Sequence, residues 1–152
     1  MKIKIFFSDV DGVLTDGGMF YTESGDEFKK FNTHDGMGMK LLQEKGYKVG
    51  IITSEDRLIN KNRAKKLCLD YDFHGVKNKL EYMQEFCKDE NILLSEIAYI
   101  GDDVNCFDLL SNVGVCACPN NAIDKVKSIP NIIKLKSSGG YGAFREFSEL
   151  YL

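Results

Sequence analysis

Short apolar runs separated by helix-length amphipathic stretches constrain the fold of this chain more than any other feature. The runs fall at residues 3–7, 47–52, 71–73, 97–100, 113–118 and 132–134. Helical patterns lie between them, beginning at Asp35-Gly36 and covering 56–67, 79–88, 106–111 and 122–127, with a closing helix at 143–152. Strands that alternate with helices predict an α/β fold, with a doubly wound parallel sheet between two helical layers. Met37, Leu41 and Leu42 are expected on the buried face of the first helix, and Leu80, Met83, Phe86 and Cys87 on that of the third. The glycine-rich segment 137–142 reads as flexible.

In a parallel sheet all strands end along one edge, which is where open α/β sheets bind ligands. The residues that directly follow the strand ends therefore carry the most information. The first run ends in Asp9-Val10-Asp11-Gly12, the second in Thr53-Ser54, and the fourth in Gly101-Asp102-Asp103, while Lys79 opens a helix at the same edge. Two carboxylates so close repel one another unless a cation lies between them, and their hard oxygens suit Mg²⁺. Asp9 and Asp102 are candidates to share that ion with a substrate phosphate, and Asp9 can then attack phosphorus as a nucleophile. Asp11 is placed to protonate the leaving alkoxide and then to deprotonate the hydrolytic water. Thr53 offers a hydroxyl and Lys79 a positive charge to the phosphoryl oxygens. Asp103 is expected to order the waters on the metal.

The 152 residues read as one domain, 1–152, with a net charge of -3 and no basic stripe, which disfavours nucleic acid as a partner. No stretch is long and apolar enough to span a membrane, and the start lacks a signal-peptide plan. Five cysteines without scaffold spacing point to reduced thiols and a cytoplasmic location. Cys116 and Cys118 read as small buried hydrophobes on one face of a strand. Residues 19–22 and 27–32 around a turn at 23–26 predict a projecting β-hairpin, too small to be a cap domain.

Taken together, Asp9-Val-Asp-Gly-Val13, the strand ending in Thr53, Lys79 and Gly101-Asp-Asp103 resemble the four motifs of the haloacid dehalogenase superfamily of phosphatases. The longer pieces, Asp9 to Gly17, Phe31-Asn32 with Asp35-Gly36, Gly75-Val76 with Lys79, and Gly140 to Glu146, resemble its small capless branch. That branch acts on KDO 8-phosphate, KDN 9-phosphate and N-acylneuraminate 9-phosphate. The resemblance implies catalysis by Asp9, Asp11, Thr53 and Lys79, and a Mg²⁺ site of Asp9, Asp11 and Asp102. It also implies substrate binding through Ser54, Glu55, Lys66 and Arg145, and a homotetramer whose neighbouring subunit closes each site. Thr53-Ser54-Glu55 with Lys66 resembles the nonulosonate 9-phosphate enzymes, so a nine-carbon sugar-acid phosphate is the expected substrate and KDO 8-phosphate the alternative. Cys106 stands where the family pattern carries a further acid. Two readings of other kinds are a non-catalytic oligomerisation domain, disfavoured by the intact motifs, and a receiver-like signalling domain, disfavoured by the hairpin and the Asp-x-Asp spacing.

Overall fold

The computed structural model describes residues 2–25 and 27–152. Among the described residues six strands form one wholly parallel sheet: β1 (Ile5–Ser8), β2 (Lys48–Ile52), β3 (Tyr71–Phe73), β4 (Ile97–Ile100), β5 (Val115–Cys118) and β6 (Ile133–Lys134), in the order β3-β2-β1-β4-β5-β6. β1 is central. It pairs Ile5 with Lys48 of β2 on one side and with Ile97 of β4 on the other. The winding reverses there, which opens a crevice at the carboxyl ends of β1 and β4.

The helices are α1 (Thr33–Glu44), α2 (Leu58–Lys66), α3 (Lys79–Asp89), α4 (Val104–Leu110), α5 (Asp124–Lys127) and α6 (Ala143–Glu149). Successive strand side chains point to opposite faces, so Phe6 and Phe7 enter different cores. Phe6, Val49 and Ile51 meet Met39 and Leu42 of α1, Ala64 of α2, and Phe144 and Phe147 of α6. Phe7, Ile52 and Tyr99 meet Met83 of α3, Leu109 of α4 and Val126 of α5. Cys116 and Cys118 are buried in this second core, as expected of small hydrophobes.

Several local expectations are corrected. α1 begins at Thr33 rather than at Asp35, because the Asn32 side chain accepts the His34 N–H at 2.8 Å and caps the helix. Its buried apolar side chains are Met39 and Leu42, and Met37 is exposed. Gly38 explains the phase: a Cβ there would lie 2.6 Å from Ser148 Oγ, so α1 meets α6 along a glycine face. Among the described residues of 17–32 no strand forms, although Gly25 N–H closes a turn on Thr22 O at 2.9 Å. An isolated two-stranded ribbon is marginal in water. Side chains pin the returning arm to the α2 region instead: Glu27 pairs with Arg57 at 2.6 Å, and Arg63 lies over the Phe31 ring at 5.3 Å. Asp26, in the expected turn, lies outside the described residues.

The glycine segment at 137–142, expected to be flexible, is built into the fold. Asn121 donates to Gly12 O at 3.0 Å and accepts the Gly139 N–H at 2.6 Å, and Gly140 N–H donates to Val13 O at 3.1 Å. A Cβ on Gly139 would lie 2.0 Å from Gly12 O, so only glycine permits this approach.

Candidate active site

A cleft of about 250 Å³ opens at the ends of β1, β2 and β4, lined by Asp9, Asp11, Gly12, Thr53, Ser54, Glu55, Asp102, Asp103 and Asn105, among others. Asp9 extends β1 by donating its N–H to Ile100 O at 3.0 Å, which fixes its backbone against β4. Its side chain is buried, not solvent-facing. Oδ1 accepts the Val10 N–H at 2.8 Å and lies 3.0 Å from Lys79 Nζ. Oδ2 accepts from the Cys106 thiol at 2.9 Å.

Lys79 opens α3 but is fully buried, because a second set of partners surrounds its ammonium. It donates to the Tyr99 hydroxyl at 3.2 Å, and that hydroxyl donates to Cys106 Sγ at 3.1 Å. Burial pushes Lys79 down, and the Asp9 carboxylate and Cys106 beside it reverse this, leaving it above its ordinary value. Burial, reinforced by Asp9, lifts the Cys106 thiol to about 12 and holds Tyr99 well above the usual phenol range. The thiol is therefore a neutral hydrogen-bond donor to Asp9. It occupies the place of the expected acid without adding charge.

The carboxylates of Asp9 and Asp102 converge with Cys106, their potential ligand atoms lying within 4.8 Å of one another. Burial, then repulsion from Asp9 and Asp103, raises Asp102 to about 7. Such crowding of half-buried oxygen donors suits a hard divalent cation, which would relieve it. Gly12, at φ +83°, brings the backbone close on Asp102; a Cβ there would lie 1.9 Å from Asp102 Oδ2. Thr15 Oγ1 closes this turn by accepting the N–H groups of Gly12 at 3.3 Å and Gly17 at 3.2 Å.

Thr53 is buried, its hydroxyl accepting the Glu55 N–H at 3.2 Å, and Asn105 donates to Ser54 Oγ at 3.3 Å. Asp103 caps α4 by accepting the Val104 N–H at 2.6 Å. Asp11 lines the cleft but does not join the Asp9–Asp102 cluster. Its two oxygens lie 2.9 and 3.2 Å from Lys29 Nζ.

Two expected site residues lie elsewhere. Lys66 is exposed on a separate groove, shared with Lys40, Gln43 and Arg63. Arg145 sits on α6, where its side chain pairs with Glu149 and its backbone N–H donates to Asp35 Oδ1 at 2.9 Å. Within one chain neither reaches the cleft around Asp9. Lys29, Tyr99 and Asn105 escape the sequence reading. The alternation of Glu27, Lys29 and Phe31 toward one side was the available signal for Lys29.

The model of the haloacid dehalogenase-like hydrolase family matches residues 63–140. The 3-deoxy-D-manno-octulosonate 8-phosphate phosphatase of Haemophilus influenzae is 33% identical over 151 residues, 99% of this chain and 83% of that protein. A probable YrbI family phosphatase from Pseudomonas syringae superposes with a TM-score of 0.94 at 36% identity, covering 97% of this chain and 84% of the other. The 3-deoxy-D-manno-octulosonate 8-phosphate phosphatase of Moraxella catarrhalis, solved with magnesium, phosphate and KDO, gives a TM-score of 0.92 at 34% identity, with 97% and 84% covered.

Proposed function

Because the chain belongs to the haloacid dehalogenase-like hydrolases, we propose that it is a phosphatase of an ulosonic acid phosphate, with KDO 8-phosphate as substrate. The observation that carries the chemistry is the buried Asp9–Lys79 pair at the cleft where Asp102 converges. Asp9 is held by the Val10 N–H and the Lys79 ammonium on one oxygen and by the Cys106 thiol on the other, which fixes its carboxylate at the cleft a phosphate would enter. Asp9 and Asp102 would hold Mg²⁺, which when bound offsets negative charge on the phosphate and on the two carboxylates. Asp11 delivers a proton to the departing sugar oxygen and later takes one from the water that hydrolyses the aspartyl-phosphate. Thr53 and Ser54 supply polar contacts at the cleft wall, and Asp103 holds the start of α4 so that Asp102 is presented.

The curated relatives favour the eight-carbon acid over the nine-carbon one expected from Thr53-Ser54-Glu55 and Lys66. One observation keeps the nonulosonate 9-phosphate as a second reading: Glu55 lines the cleft, where it could accept hydrogen bonds from sugar hydroxyls. Phosphate release with Mg²⁺ from KDO 8-phosphate, KDN 9-phosphate, N-acetylneuraminate 9-phosphate and hexose phosphates decides between them. The highest kcat/KM on KDO 8-phosphate is the expected result, and a preference for a 9-phosphate reverses the assignment. No turnover of any of them removes the phosphatase reading in favour of an oligomerisation domain.

A homotetramer is part of this proposal. Phe20 and Phe28 stack at 4.5 Å yet stay 47% and 60% exposed, and Tyr21 beside them is 67% exposed. An exposed aromatic cluster of this kind suits burial against other copies and closure over a site. Lys66 and Arg145 would then serve a neighbouring cleft. Sedimentation at micromolar concentration tests this: an active, stable monomer rules it out. Five free thiols fit a reducing setting such as the cytoplasm.

A further inference from the structure

Lys29 is the least expected neighbour of the cleft, which it reaches through Asp11. It comes from an arm whose neighbours face water, yet its side chain is only 1% exposed. Nζ donates to Asp11 Oδ2 at 3.2 Å, lies 2.9 Å from Asp11 Oδ1 as an ion pair, and also donates to Asn60 Oδ1 at 3.3 Å. Asn60 is itself fully buried on α2. Glu27 on Arg57 and Phe31 under Arg63 flank this contact, so three alternate residues fasten the arm and set the height of the ammonium. Each of the two catalytic carboxylates thus has its own buried lysine: Lys79 for Asp9, delivered by α3, and Lys29 for Asp11, delivered by the arm.

We propose that Lys29 is the positioning residue for proton delivery by Asp11, a role that rests on the phosphatase reading above. In the first half-reaction an Asp9 oxygen bonds to phosphorus as the bond from phosphorus to the sugar oxygen breaks. The departing oxygen takes the proton of the Asp11 carboxyl, leaving an alcohol and the Asp11 carboxylate. The Lys29 ammonium meets that new negative charge and, by spanning both oxygens, fixes the plane of the carboxyl. In the second half-reaction the same carboxylate takes a proton from water as its oxygen attacks the aspartyl-phosphate. Inorganic phosphate leaves, and Asp9 and protonated Asp11 are restored.

Leaving-group dependence separates this role from a structural one. The ratio kcat/KM reports steps only through formation of the aspartyl-phosphate, and p-nitrophenolate departs without needing a proton. K29M should therefore lower kcat/KM on KDO 8-phosphate by about 10²-fold, the lower end of what general acid help supplies. On p-nitrophenyl phosphate the loss should stay under about threefold. K29R, which keeps a forked cation, should recover most of the loss on the sugar phosphate. In a D11N background K29M should cost nothing further on KDO 8-phosphate. Equal losses on both substrates, no loss on either, or a double variant well below D11N would each overturn the role of Lys29. Melting by circular dichroism confirms that K29M is folded in the assay. A wild-type chain that cleaves neither substrate overturns the phosphatase reading itself, a result distinct from an active wild type with an equally active K29M.

Discussion

Replacing Asp35 with Asn should change how the stability of the protein depends on pH. Asp35 is buried between α1 and α6, and its Oδ1 accepts the Arg145 N–H at 2.9 Å, capping a helix whose own cap position is Gly142. Its other oxygen has no hydrogen-bond partner among the described residues. Burial lifts the carboxyl from 3.8 to about 6, against the opposing pull of the Arg145 and Phe144 N–H groups and of Arg63. The native state then holds this proton more tightly than the unfolded chain does. Its contribution is fully present below pH 3.8 and is lost as pH rises through about 6. At about 1.4 kcal/mol per tenfold change in proton affinity, the ceiling on the loss is about 3 kcal/mol. Asn keeps an oxygen for the Arg145 N–H and cannot ionise. Urea unfolding of wild type and D35N at pH 4, 5, 6 and 7.5 isolates the term, because other titrations cancel in the difference. The stability of D35N relative to wild type should rise by about 2–3 kcal/mol from pH 4 to pH 7.5. A difference that stays constant to within about 0.5 kcal/mol would refute the assignment of that proton to Asp35.

Three further outcomes follow from the site. Asp9→Asn should abolish turnover and, because it leaves the Lys79 ammonium buried without its carboxylate, should cost about 3 kcal/mol of stability; a variant with an unshifted Tm contradicts the burial argument. Gly12→Ala combines a left-handed backbone with a Cβ pressed onto Asp102 Oδ2, so activity should fall at least ~10²-fold, with about 1–3 kcal/mol of stability lost; near-normal kinetics would refute the close approach. Asp102, held near 7, makes a bound cation compete with a proton, so about 5 mM Mg²⁺ should raise Tm more at pH 8 than at pH 6, and equal shifts would exclude Asp102 as a ligand.

The sheet was legible because its inner strands are buried, mostly apolar runs. Tyr71–Phe73 and Ile97–Ile100 fall on the expected residues, and the acids that follow β1 and β4 meet because parallel topology forces it. Helix phase was less legible where glycines do the packing. Gly36 and Gly38 let α1 sit close to its neighbours, and a pattern of apolar side chains cannot register a contact made by a missing one. Lys29 was hidden for a related reason: the alternation of Glu27, Lys29 and Phe31 marks one side of the arm, but only the fold brings α2 and Asp11 around it. Lys66 and Arg145 could not be placed from the sequence of one chain. Their positions match a pattern, but the single chain carries them away from the cleft.

Asn121, which ties Gly12 to Gly139, has a consequence for the order in which the protein is made. β1 is central in the sheet and precedes its partners in the chain, so its two edges stay unpaired until β2 and then β4 have left the ribosome. The loop beyond it is completed later still, by residues 139 and 140. At about 5–20 residues per second, on the order of ten seconds separate synthesis of the nucleophile from synthesis of the segment that braces its loop. Until β4 has emerged, the apolar Ile5–Ser8 strand keeps an edge open to other nascent chains, so chaperone supply and translation speed bear on yield alongside the stability of the finished fold.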